Sequence, residues 1–102
     1  MSDLPSLSVN GQSQQLNEDE ASELAKELKQ QLRNGEVPAA DGESIERMVA
    51  GLGDPRGLMR LTFAESLGVV GKAAVPSLCR ALAEHESVTV RRAAAKIGRA
   101  HV

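Results

Sequence analysis

The chain has 102 residues, 41% hydrophobic and 25% charged, the balance of one small globular domain. One cysteine and two histidines exclude an internal disulfide framework and a structural zinc site, and with Phe63 as the single aromatic residue the core must be built from Leu, Val and Ala. No apolar run approaches the ~20 residues of a membrane span, and no basic start precedes an apolar segment. The expectation is a cytoplasmic chain without a signal peptide. Residues 1–50 carry ten acids against four bases and residues 51–102 four acids against eight, beneath a net charge of only -2. Either the halves attract each other, or the second favours an acidic partner, or both are ordinary solvated faces.

Residues 1–15 are rich in Ser, Gln, Asn and Gly with scattered apolar residues, too few to repay ordering, and read as a flexible tail. The first helix is expected within residues 16–35. Asn17 can cap it, Glu18, Asp19 and Glu20 meet the positive helix end, and Glu20 completes a variant capping box. Ala21, Leu24, Ala25, Leu28 and Leu32 recur at steps of three and four, one apolar stripe, until Asn34-Gly35 stops the helix. Residues 36–43 read as a loop. Asp41 or Ser44 can cap a second helix carrying Ile45, Met48, Val49 and Leu52, ended by Gly53-Asp54-Pro55.

A third helix starts near Leu58, with Leu58, Leu61, Ala64 and Leu67 as its apolar set and Met59, Phe63 and Val70 widening it. Gly68 and Gly71 loosen and stop it. Ala74-Val75-Pro76 restarts the chain with proline in a first turn, where its missing N–H costs nothing. The fourth helix is expected to bury Val75, Leu78, Cys79 and Leu82, and Ser87 can cap a fifth that begins with Val88, Val90, Ala93 and Ala94. No strand alternation competes.

A shift of about 31 residues lays Met59-Arg60 on Val90-Arg91 and Ala64 on Ala95; a shift of about 30 lays Ile45, Met48, Val49 and Leu52 on Val75, Leu78, Cys79 and Leu82. The helices therefore alternate as two repeated types. Arg60, Ala64, Leu67-Gly68, Gly71, Ala74-Val75-Pro76, Leu78 and Ala81-Leu82 give the unit a pattern that resembles the HEAT-like repeats of the phycobilin lyase type. The likeness is specific over residues 54–95 and does not reach residues 1–40. With its acidic first helix, the chain is similar to the cyanobacterial phycobilisome-degradation proteins of the non-bleaching B type. The resemblance implies an all-α fold, an α-solenoid fragment of HEAT-like repeats over residues 44–95 behind an N-terminal helix, because a short helix pair hides its apolar stripe only by stacking.

Lys96-Ile97-Gly98-Arg99-Ala100-His101-Val102 breaks the repeat. It resembles the in-frame translation of a common sequencing adapter, so residues 96–102 are expected to lie outside the natural sequence and the repeats to be truncated. One full helix pair and part of another should then be marginally stable and melt with low cooperativity.

The chemistry is sparse. Cys79 is expected to be buried and inert on the fourth helix, His85 to bond helix-end carbonyls, and Glu18, Asp19 and Glu20 to serve the helix start rather than catalysis. No catalytic, cofactor or metal residues are assigned. Arg60 and Arg91 are expected to brace turns. Ser77, Arg80 and Glu84, on one exposed face of the fourth helix, form the expected partner-binding surface. Nucleic acid is a poor fit, since the arginines have no aromatic platforms beside them. The main reading is a non-catalytic protein-binding adaptor. Through the resemblance its partner would be phycocyanin or another phycobiliprotein, with no bound cofactor beyond a transient phycocyanobilin contact. The alternatives are a bilin lyase subunit that attaches or removes phycocyanobilin, and a generic HEAT-repeat scaffold. Oligomeric state is not legible.

Overall fold

A computed structural model describes residues 16–100. The expected tail over residues 1–15, together with His101 and Val102, lies outside them. All regular structure within the described residues is helical: α1 (Glu18–Arg33), α2 (Gly42–Gly51), α3 (Gly57–Val70), a short 3-10 turn (Gly71–Ala74), α4 (Val75–Glu84) and α5 (Val88–Arg99).

The helix ends follow from local chemistry. Asn17 accepts the Glu20 N–H at 2.8 Å while the Glu20 carboxylate accepts the Asn17 N–H at 3.0 Å, a complete capping box. At the other end of α1 the Gly35 and Glu36 N–H groups donate to the Leu32 and Gln31 carbonyls, and Gly35 takes φ 72°, the left-handed geometry that favours glycine. Asp41 caps α2 and Ser87 caps α5, each accepting the backbone N–H three residues on. Pro76 falls in the first turn of α4.

α3 lies against α1 and α2 and also touches α5, while α4 lies against α5 and α2. So α1, α3 and α5 neighbour one another in turn on one side and α2 and α4 on the other. Phe63 and Leu67 are fully buried between them, with Met48, Leu52, Leu78 and Val90 exposed by no more than 1%. Gly51 is required at the α2–α3 crossing, since a Cβ there would sit 2.5 Å from the Phe63 ring. The α1 and α2 stripes lie as the spacing predicts: Ala21, Ala25 and Leu28 are buried, as are Ile45, Met48, Val49 and Leu52.

Two expectations are corrected. In α3, Leu58 is 75% exposed and Leu61 also faces out; the buried set is Thr62, Phe63, Ser66 and Leu67, because α3 meets helices on both flanks and its inward face is rotated from the leucine stripe. In α4, Leu78 and Ala81 are buried, whereas Cys79 and Leu82 are exposed and Val75 is half-buried. Leu78 and Ala81 take the inward face of α4, and Cys79 and Leu82 fall outside it. In the final segment α5 continues through Arg99, and Ile97 packs on the core one turn after Ala93 and Ala94. α5 begins at Val88 behind the Ser87 cap as expected; Val88 itself is exposed, while Val90 and Ala94 are buried.

Candidate functional site

Two surfaces carry polar organisation. The first is the α4 face. Arg80 ion-pairs with Glu46 of α2 and donates to Ser77 Oγ at 3.4 Å, so two of the three expected partner-binding residues, Ser77 and Arg80, are brought together. Glu84 is exposed one turn further along and forms no ion pair with Arg80 among the described residues. Glu46, 34 residues earlier in the chain, is the partner that sequence reasoning missed. No local spacing points to it, because the pairing exists only once α2 and α4 lie side by side.

The second surface is a half-open cleft of about 320 Å³ where the start of α1 and the α2–α3 and α4–α5 turns converge. Leu16, Ala21, Pro55 and Val90 supply apolar wall, and Arg56 and His85 stand among its polar residues. Arg56 is fixed on all sides: its guanidinium donates to both Asp54 carboxylate oxygens at 3.0 Å, to Ser22 Oγ at 2.9 Å and to the Glu18 carbonyl at 3.3 Å. The Asp54 side chain is only 7% exposed. The hydrogen bonds from Arg56 hold its carboxyl below the usual carboxylate range, against the opposing effect of burial. The same pairing strengthens the hold of Arg56 on its proton.

The two turns are built alike. Asp54 Oδ1 accepts the Arg56 N–H at 2.8 Å, and 31 residues later His85 Nδ1 accepts the Ser87 N–H at 3.1 Å. Arg60 donates to the Asp54 carbonyl at 2.7 Å, and Arg91 to the His85 carbonyl at 2.7 Å and the Glu86 carbonyl at 3.4 Å. His85 therefore accepts a backbone N–H through Nδ1, which leaves its proton on Nε2, instead of donating to helix-end carbonyls as its position suggested. Cys79 is corrected as well: it is exposed on α4 rather than sealed in the seam.

Among the described residues no group of three or more His, Cys, Asp or Glu side chains is placed to hold a metal ion. No helix among them is long and apolar enough to cross a membrane. Chemically, the cleft and the α4 face offer fixed charges, organised carbonyls and apolar wall.

The geometry thus defines an all-helical protein built of alternating helices with two equivalent arginine-braced turns. No protein-family model matches the chain, and no solved structure matches it. Among curated proteins it is similar to the bilin biosynthesis protein MpeU of Synechococcus sp. (strain WH8020), 58% identical over 81 residues, which is 79% of this chain and 27% of that protein. The chain therefore spans about a quarter of the length of its relative.

Proposed function

We propose that this chain is a HEAT-like α-solenoid segment, residues 44–95 behind the α1 helix, of a phycobilin lyase-type protein, and that it takes part in attaching or removing a bilin on a phycobiliprotein. The similarity to a bilin biosynthesis protein, 58% identical over 79% of the chain, carries this reading. It favours the bilin-handling alternative over a purely non-catalytic adaptor. The equivalence of the turns at Asp54 and His85, each held by an arginine six residues on, supports the repeat architecture.

In this account Arg60 and Arg91 are positioning residues that keep successive helix pairs in register. Ser77, Arg80 and Glu84 form the face that meets the protein partner. A bilin is cargo rather than a resident cofactor. It is an apolar ribbon with ionised carboxylate arms, and it would meet apolar wall and fixed charge along such a surface. Partner and cargo would be presented to each other by this scaffold.

The test mixes the 102-residue chain with phycocyanobilin and apo-phycocyanin and follows the visible absorption of the product after denaturation, which reports covalent attachment. Faster or more selective attachment in the presence of the chain supports the lyase reading. Binding to holo-phycocyanin without transfer would return the assignment to the adaptor, and neither result would leave a generic repeat scaffold.

A further inference from the structure

The two equivalent turns differ in the group that closes them. In the α2–α3 turn a carboxylate, Asp54 Oδ1, accepts the N–H of Arg56, the N-cap residue of α3. In the α4–α5 turn an imidazole, His85 Nδ1, accepts the N–H of Ser87, the N-cap residue of α5. Each bond fixes the backbone just before a helix, and the frame around it is shared, because Arg60 and Arg91 hold the carbonyls of Asp54 and His85 at 2.7 Å. The pH at which the acceptor fails is not shared. An ordinary carboxyl gains its proton at about pH 3.9 and an ordinary imidazole at about pH 6.5. Arg56 holds the Asp54 carboxyl lower still. Protonation also acts more completely on the ring: a carboxyl group keeps oxygen lone pairs, whereas imidazolium carries an N–H on both nitrogens and accepts nothing.

The charged groups around His85 decide what a protonated ring would meet. The cleft it lines also holds Glu18 from the start of α1, Asp54 and Arg56 from the α2–α3 turn, and Glu86 from its own turn. Arg91 of α5 is engaged by the His85 and Glu86 carbonyls, and Asp54 is committed to Arg56. Glu84, at the exposed end of α4, does not line the cleft. Glu18 and Glu86 are exposed and form no ion pair among the described residues, so theirs are the uncommitted carboxylates of the cleft. An imidazolium that gives up Ser87 finds its acceptors there. The Ser87 N–H, in a part-buried turn, then lacks an acceptor, although Ser87 Oγ can still cap the Val90 N–H.

We propose that His85 makes the α4–α5 turn a pH-sensitive switch. The neutral ring closes the turn on the Ser87 N–H; the protonated ring releases Ser87, turns to the carboxylates of Glu18 and Glu86, and adds one positive charge to the cleft. The α2–α3 turn, closed by Asp54, stays shut over the same range. The switch lies within one turn and its cleft, and it does not depend on the bilin reading.

Proton–nitrogen correlation spectra and amide exchange of the 102-residue chain between about pH 8 and pH 5 test it, in a His101→Gln background that leaves His85 as the one titrating ring. The Ser87 amide should shift along the titration curve of the His85 ring. Its exchange protection, corrected for the intrinsic pH dependence, should fall several-fold at the acid end while that of the Arg56 amide holds. His85→Asp, which copies the first turn, should keep Ser87 protected throughout, and His85→Ala should leave it weakly protected at every pH. Glu18→Gln with Glu86→Gln should move the Ser87 and ring curves together to lower pH. A Ser87 amide equally protected on both sides of the His85 titration would overturn the proposal. So would an Arg56 amide that changes with it, a His85→Asp chain that still loses Ser87 protection, or a double Gln variant with unmoved curves.

Discussion

The guanidinium of Arg60 donates to the carbonyl of Asp54, six residues earlier, at 2.7 Å. The relation recurs 31 residues later between Arg91 and His85, at the same distance. In both turns the residue whose carbonyl is held also turns its own side chain onto the backbone N–H two residues on. Turn and brace therefore form one unit, used twice. Replacing Arg60 by Ala should cost about 1.5–2 kcal/mol, the lower part of the range for a hydrogen bond from a charged donor, and Arg91→Ala a similar amount. In a domain of this size each kcal/mol lowers the Tm by roughly 4–8 °C, so thermal melts monitored at 222 nm resolve the effect. Equal Tm values for wild type and both variants would remove the bracing role.

Asp54 predicts an acid limb to stability. Its folded carboxyl titrates below the ordinary value of about 3.9 because Arg56 donates to it. The stabilisation is therefore fully present above the unfolded value and is lost as pH falls through the lower folded one. Asp41, lowered chiefly by the Ser44 hydroxyl, acts in the same direction. Urea midpoints between pH 2 and 7 should fall towards the acid end in the wild type. In Asp54→Asn the slope should be shallower and the neutral-pH midpoint lower, because the Arg56 guanidinium loses the carboxylate it holds at 3.0 Å.

How much of this was legible in the chain depended on how local the cause was. Asn17, Asp41 and Ser87 announce helix starts because a cap bonds within three residues, and Gly35 announces a stop for the same reason. The α1 and α2 stripes were readable because each helix buries one face. Leu58 and Leu61 were misread because α3 touches three helices and its inward direction is set by all of them. Cys79 and Leu82 were misread because periodicity shows that residues share a face, and not that a neighbour covers it. The Arg80–Glu46 pair and the cleft were illegible for a stronger reason: their members come together only in the tertiary arrangement, with Arg56 reaching Ser22 34 residues away.

Gly51 offers a packing test of the α2–α3 crossing. A Cβ at this position would meet three Phe63 ring atoms at 2.5–2.6 Å, so Gly51→Ala must displace the ring or the helix. Overpacking of this kind costs about 1–3 kcal/mol, against up to ~1 kcal/mol gained from the better helix former. A net loss is expected in denaturant melts, with partial recovery in Gly51→Ala combined with Phe63→Leu. A stabilised single variant would show that the helices do not cross this closely.

The most direct measurement of the functional account is a titration of phycocyanobilin with the 102-residue chain, followed by visible absorption, for wild type and Arg80→Ala. The account predicts a saturable spectral change in the wild type. It also predicts that apo-phycocyanin joins this complex, and that Arg80→Ala leaves the spectral change intact while weakening phycocyanin capture about tenfold, the loss of ~1.4 kcal/mol at an interface anchor. A bilin spectrum unchanged by the chain, with no capture of phycocyanin by the wild type, would contradict it.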